Sequence, residues 1–262
     1  MSLSAFILGA GSRVGRSVAL KLKAEGYKVA IGSRNPDFDA AKKDGFYAVK
    51  VDAAKPETIQ GAYDQVRDAI GTPNVVVYNP AALTFPADRT DPLTVPLASF
   101  IGDQDVGAHS LFALAQSAVP GFAKVPASVT RAFIVTGNLL PFIDPMIPMV
   151  TLGVQKVAEA YLVKVFNKAY YEDKGYRSVS TNYHSHPYST LLACTSILLT
   201  DAPVFMVTSF YFATQVSSTG GLPGGEMAGE PHAIAYWELI QREELGNWDH
   251  RFIKDGSAFE GY

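Results

Sequence analysis

The feature that most constrains this chain is a short apolar run that breaks into glycines and then resumes at helical spacing. "SAFILGAG" reads as a strand, and "RSVALKLKAEG" (Arg16 to Gly26) as the helix after it, closed by a glycine. The alternation continues. "YKVAIGSR" and "FYAVKVDA" are further strands, followed by a helix at "ETIQGAYDQVRDAIG". "PNVVVYNPAA" is a fourth strand, so apolar that both its faces must be covered. "GAHSLFALAQSAVPGFAKV" is a helix and "TRAFIVTGN" a fifth strand, and Lys156 lies on the helix that follows. Strands alternating with helices predict an α/β fold, a doubly wound parallel sheet of Rossmann type in three α/β/α layers. No repeat or linker divides the 262 residues, so a single domain spanning 1–262 is expected.

Composition narrows the function. Hydrophobic residues make up 48% and charged residues 18%, enough apolar side chain for a sizeable core. A net charge of -3 argues against nucleic acid as a partner. No apolar run approaches the roughly 20 residues of a membrane span, so a soluble protein with no membrane partner is expected. A single cysteine and no signal-like start point to a reducing, cytoplasmic location.

The glycines suggest chemistry. Gly9, Gly11, Ser12, Arg13, Val14 and Gly15 lie between the first strand and the first helix. Backbone N–H groups approach a pyrophosphate closely only where side chains do not intervene, and a helix N-terminus favours the anion. At the tip of the second strand, "GSRNPDF" carries Arg34 where a carboxylate would accept a ribose hydroxyl. A guanidinium suits a 2′-phosphate, so NADPH is preferred to NADH, with Arg13 as a second cation. Asp37 and Asp39 follow closely, and an arginine in a solvated loop is the alternative.

These residues resemble the short-chain dehydrogenase/reductase family from the first strand to about Gly175, and again near the C-terminus. Asp52 matches the acidic residue that the family places beside adenine, and Asn79 in "YNPAA" matches the second asparagine of its Asn-Asn-Ala-Gly. Arg13 stands where the family's middle glycine usually is. The resemblance implies hydride transfer between NADP and a small carbonyl or alcohol, and assembly as a homo-oligomer through the helices flanking the fifth strand. It implies that Lys156 holds the nicotinamide ribose. The family's tyrosine, four residues earlier, is Leu152 here, its serine falls at Asn138 with Thr136 as a neighbour, and its asparagine at Gly107. Lys156 and Asn138 are therefore the candidate catalytic residues, with a catalytically inactive cofactor-binding sensor or partner subunit as the alternative function. Tyr161, Tyr78 and His109 are weighed as other proton donors, and none is preferred.

A segment after "KGYR" breaks the pattern. Joining Arg177 to Phe210 gives "GYRFYFATQV", a good sixth strand. The 32 residues between, 178–209, hold one charged residue, Asp201, where the chain's 18% would give roughly six. They also hold 11 serines and threonines. Translation of an unspliced intron, with the donor inside the Arg177–Ser178 codons and the acceptor inside that of Ser209, is one reading; a family-specific loop or lid is the other. His184 and His186 lack a second pair at zinc-ligand spacing, and no metal site is expected. "SSTGGLPGGEMAGEP" (217–231) is an irregular loop suited to cover a substrate, "PHAIAYWELIQREELG" a helix, and "NWDHRFIKDG" a packed tail.

Overall fold

A computed structural model describes residues 2–126, 128–171, 208–242 and 246–261. Its strands are β1 (Ser4–Leu8), β2 (Lys28–Ser33), β3 (Tyr47–Lys50), β4 (Val75–Tyr78), β5 (Ala132–Thr136), β6 (Ser209–Gln215) and β7 (Asp249–Phe252). They form one sheet in the order β3-β2-β1-β4-β5-β6-β7, with every pairing parallel. The helices are α1 (Val14–Ala24), α2 (Phe38–Lys43), α3 (Ile59–Ile70), α4 (Leu97–Gln104), α5 (Ser110–Phe122), α6 (Val150–Tyr171) and α7 (Gly229–Gln241).

The two-residue period of the strands divides the core. Ala5 and Ile7 of β1 pack with α1 and α7 on one face, whereas Phe6 and Leu8 pack with α3 and α5 on the other. The expected three layers result. The chain winds outward through β2 and β3, then returns to the opposite side of β1 with β4. That reversal opens a crevice at the carboxyl ends of β1 and β4, where ligands of such sheets bind. No helix among the described residues is long and apolar enough to cross a membrane.

Several boundaries differ from expectation. The first helix starts at Val14, inside the glycine segment. The short helices α2 and α4 had no clear period. The 217–231 loop gives way at Gly229, because α7 begins there with Pro231 in its first turn, and α7 stops at Gln241 rather than at Gly246. The C-terminal "tail" supplies β7, parallel to β6. Its Asp249 and His250 are buried polar residues, so it lacked the apolar signature of a strand. The sixth strand falls where expected, but the question of insertion or lid concerns 178–209, which apart from Thr208 and Ser209 lies outside the described residues, as do His184 and His186.

Candidate active site

The loop between β1 and α1 is shaped by two glycines that tolerate no side chain. Gly9 has φ +84°, and a Cβ there would lie 2.7 Å from the Pro80 nitrogen. A Cβ on Gly15 would lie 2.6 Å from Ala10 Cα, so this glycine lets α1 close onto the loop. Gly11 is different. It is exposed with open space at its Cβ position, which leaves its backbone approachable. No side chain caps α1; Arg16 N donates to the Gly11 carbonyl at 3.1 Å and Ser17 N to the Arg13 carbonyl at 3.0 Å, so the N–H groups of Val14 and Gly15, with the dipole's positive end, are those left to face the loop. Asn79 fastens the loop from β4, its Nδ2 donating to the Gly9 carbonyl at 2.8 Å.

Beside the loop lies a cavity of about 320 Å³ whose wall brings together Gly9, Gly11, Arg34, Asp52 and Asn79. A second cavity of about 370 Å³ adjoins it and shares Gly11 and Ser33. Ser12 lines this second space with Arg16 and Asn35. Arg13 is exposed above them, while Val14 and Gly15 are built into the base of α1. Asp37, which threatened to neutralise Arg34, instead caps α2 by accepting from Ala40 N at 2.9 Å. Asp52 accepts from Ala54 N at 3.0 Å and is half-buried.

Lys156 is 3% exposed, which excludes a solvated helix lysine. Its ammonium donates to the Thr136 carbonyl at the carboxyl end of β5, at 2.9 Å, and to Glu159 Oε2 at 2.7 Å. Glu159 is fully buried; burial pushes its carboxyl up, and Lys156 pulls it back. Tyr236 of α7 donates its hydroxyl to Thr136 Oγ1 at 2.8 Å. Asn138, half-buried beyond β5, accepts from Leu140 N at 3.0 Å, which leaves its amide N–H groups able to donate. Neither Lys156 nor Asn138 lines the two cavities beside the loop.

The chain and its fold are similar to known proteins. The model of the family described as Enoyl-(Acyl carrier protein) reductase matches residues 9–155. The "Short chain dehydrogenase/reductase dmxR12" of Cryptosporiopsis sp. (strain 8999) is 30% identical over 259 residues, 95% of this chain and 90% of that protein. The chain belongs to the short-chain dehydrogenase/reductase family of oxidoreductases. Two solved structures share the fold. One is a metagenomic short-chain oxidoreductase in complex with NADP, at TM-score 0.70, 14% identity and 96% coverage of both chains. The other is an alcohol dehydrogenase from the archaeon Thermococcus sibiricus complexed with 5-hydroxy-NADP, at TM-score 0.67 and 16% identity, covering 98% of this chain and 97% of that one.

Within this short-chain dehydrogenase/reductase, the weighed proton donors all lie away from Lys156 or are committed elsewhere. Tyr161 is exposed on the outer face of α6, and His109 is exposed beside Asp105. Tyr78 is fully buried and donates its hydroxyl to the Val106 carbonyl. Burial, then the Glu159 charge, pushes that phenol well up. Gly107 sits in a π-helical turn, Asp105–His109, between α4 and α5. A Cβ there would overlap Gln155, which fills the notch, donating to the Asp103 carbonyl at 2.8 Å and accepting from Ala82 N at 3.4 Å.

Glu159 and Gln155 escaped the sequence reading. One signal was available for Glu159: it follows Lys156 by three residues, on the stripe that continues to Val163, the face of α6 turned inward. Gln155 and Gly107 are 48 positions apart, and nothing local links them. The 217–231 loop is also better tied than its composition suggests. The Gln215 amide donates to the Glu226 carbonyl at 2.9 Å and accepts from Ala228 N at 3.2 Å. Gly229 then packs against the Arg13 carbonyl of the glycine loop.

Proposed function

We propose that this protein is an NADP(H)-dependent oxidoreductase acting on a small carbonyl or alcohol. The observation that carries the reading is the single cavity uniting Gly9, Gly11, Arg34, Asp52 and Asn79 beside an uncapped helix N-terminus. The residues fit a dinucleotide. Gly11 leaves room for a pyrophosphate on the N-terminus of α1, and Ser12, Arg13, Val14 and Gly15 complete that loop. Asp52 faces an adenine, and Arg34, with Arg13, meets a 2′-phosphate. The adenosine half thus lies over β2 and β3, which directs the nicotinamide half towards β4, β5 and Lys156.

A bound nicotinamide supplies or accepts the hydride. Lys156 already uses two of its N–H groups, so it offers one to a ribose hydroxyl. Asn138 donates from its amide to the substrate oxygen, polarising the carbonyl. Leu152, one helical turn before Lys156, transfers no proton, and the alkoxide takes its proton from solvent. Without positioned acid–base help the reaction forgoes a factor of about 100 to 10,000.

Arg34→Ala tests the cofactor choice. Losing a charge-assisted hydrogen-bonding partner is expected to weaken NADPH about 10- to 100-fold while changing NADH by about twofold or less. Fluorescence titrations with both cofactors measure this, and an equal loss for the two would count against a 2′-phosphate contact.

The protein also assembles as a homo-oligomer in this reading. Val154, Val157, Tyr161 and Val165 expose an apolar stripe along α6, beside a cleft of about 680 Å³. Sedimentation velocity is expected to give at least a dimer, and a monomer at micromolar concentration would refute it.

A further inference from the structure

We propose that Glu159 balances the charge of Lys156, so that the nicotinamide end of the site is electrically neutral, and that this balance sets the relative affinity for oxidised and reduced NADP. The inference rests on the proposed dinucleotide site, with its nicotinamide half reaching β5. Lys156 Nζ and Glu159 Oε2 lie 2.7 Å apart, and their side chains are 4% and 0% exposed. Screening by water is weak there, so each charge acts over a longer distance than it does at a surface. The oxidised nicotinamide ring carries a positive charge and the reduced ring none. An unpaired ammonium at the end of β5 therefore disfavours the oxidised form, whereas an ammonium with its carboxylate does not. The balance holds wherever the shared proton resides, because Lys⁺ with Glu⁻ and neutral Lys with neutral Glu both sum to zero.

Two further observations support a functional reading over a structural one. Glu159 Oε1 is buried with no hydrogen-bond partner among the described residues, so there the carboxylate is poorly satisfied except by Lys156. A buried ion pair also contributes little net stability relative to apolar residues of similar size, so packing gives no reason for a glutamate on the inner face of α6.

The test is a titration of wild type, Glu159→Gln, Lys156→Met and the double variant with NADP⁺ and with NADPH. The readout is the ratio of the two dissociation constants, NADP⁺ over NADPH. Glu159→Gln leaves a net positive charge, and the ratio is expected to rise on the order of tenfold. Lys156→Met leaves Glu159 without its cation, so the ratio falls where the carboxyl stays ionised and holds where burial protonates it. The double variant is neutral again and returns to within about twofold of wild type by the same charge count. A structural role moves both affinities together. An unchanged ratio in a folded Glu159→Gln variant, or a double variant about tenfold from wild type, overturns the inference while leaving the dinucleotide site standing. Circular dichroism identifies the variants that fold, and the double variant, free of buried charge, carries the test if neither single one does. A folded wild type that binds neither form overturns the dinucleotide reading and this inference with it.

Discussion

Lys156→Met is expected to lower the unfolding free energy by roughly 3–5 kcal/mol, the cost of leaving a buried charge without its partner. The stranded group is Glu159, fully buried, with one oxygen already unpartnered and the other held only by Lys156 among the described residues. Urea denaturation at pH 7 measures the loss. Removing the second charge as well, in Lys156→Met/Glu159→Leu, is expected to recover most of it, because apolar residues of similar volume replace such pairs at little cost. A Lys156→Met protein within about 1 kcal/mol of wild type would mean that water reaches the pair, as it reaches exposed ion pairs.

The second large effect is acid destabilisation by two buried imidazoles. His232 and His250 are 2% and 5% exposed. Burial pushes both down from 6.5 to about 4, against a hydrogen bond with the Ala228 carbonyl at His232 and with help from the Arg242 charge at His250. Each folded imidazole therefore binds fewer protons than its unfolded counterpart between those values. Stability is complete above about pH 6.5 and is lost as the pH falls towards about 4. A displacement of this size corresponds to roughly 3 kcal/mol per histidine. Urea midpoints taken from pH 7 to pH 4 are expected to fall steeply, and His250→Gln to remove about half of the slope. A flat profile across that window would show that neither imidazole is held neutral.

The parts of the candidate site that were legible in the sequence are those where local chemistry and the proposed function coincide. Gly9, Gly11 and Gly15 announce a loop because a backbone that must approach an anion or a neighbouring helix excludes side chains. Arg34, Asp52 and Asn79 were identifiable because each follows a strand, and the ends of parallel strands converge on one crevice. Strand β7 was missed for the opposite reason, since Asp249 and His250 are polar residues buried by their neighbours. The choice between insertion and lid for 178–209 turns on residues outside those described.

By itself the sequence determined the winding of the sheet and the place of the glycine loop between β1 and α1, because periodicity and glycine spacing act within about 30 residues, the length of one βαβ unit. Only the tertiary structure decided what Lys156 is. A helix has several faces, and packing against β5 and β6 turned the stripe of Lys156 and Glu159 inward, making a buried pair of two ordinary surface residue types. The same packing set Gln155 into the notch at Gly107 and brought Tyr236, 100 positions away, onto Thr136. Contacts of that range leave no periodic trace in the chain, because they arise only when separate elements close on one another.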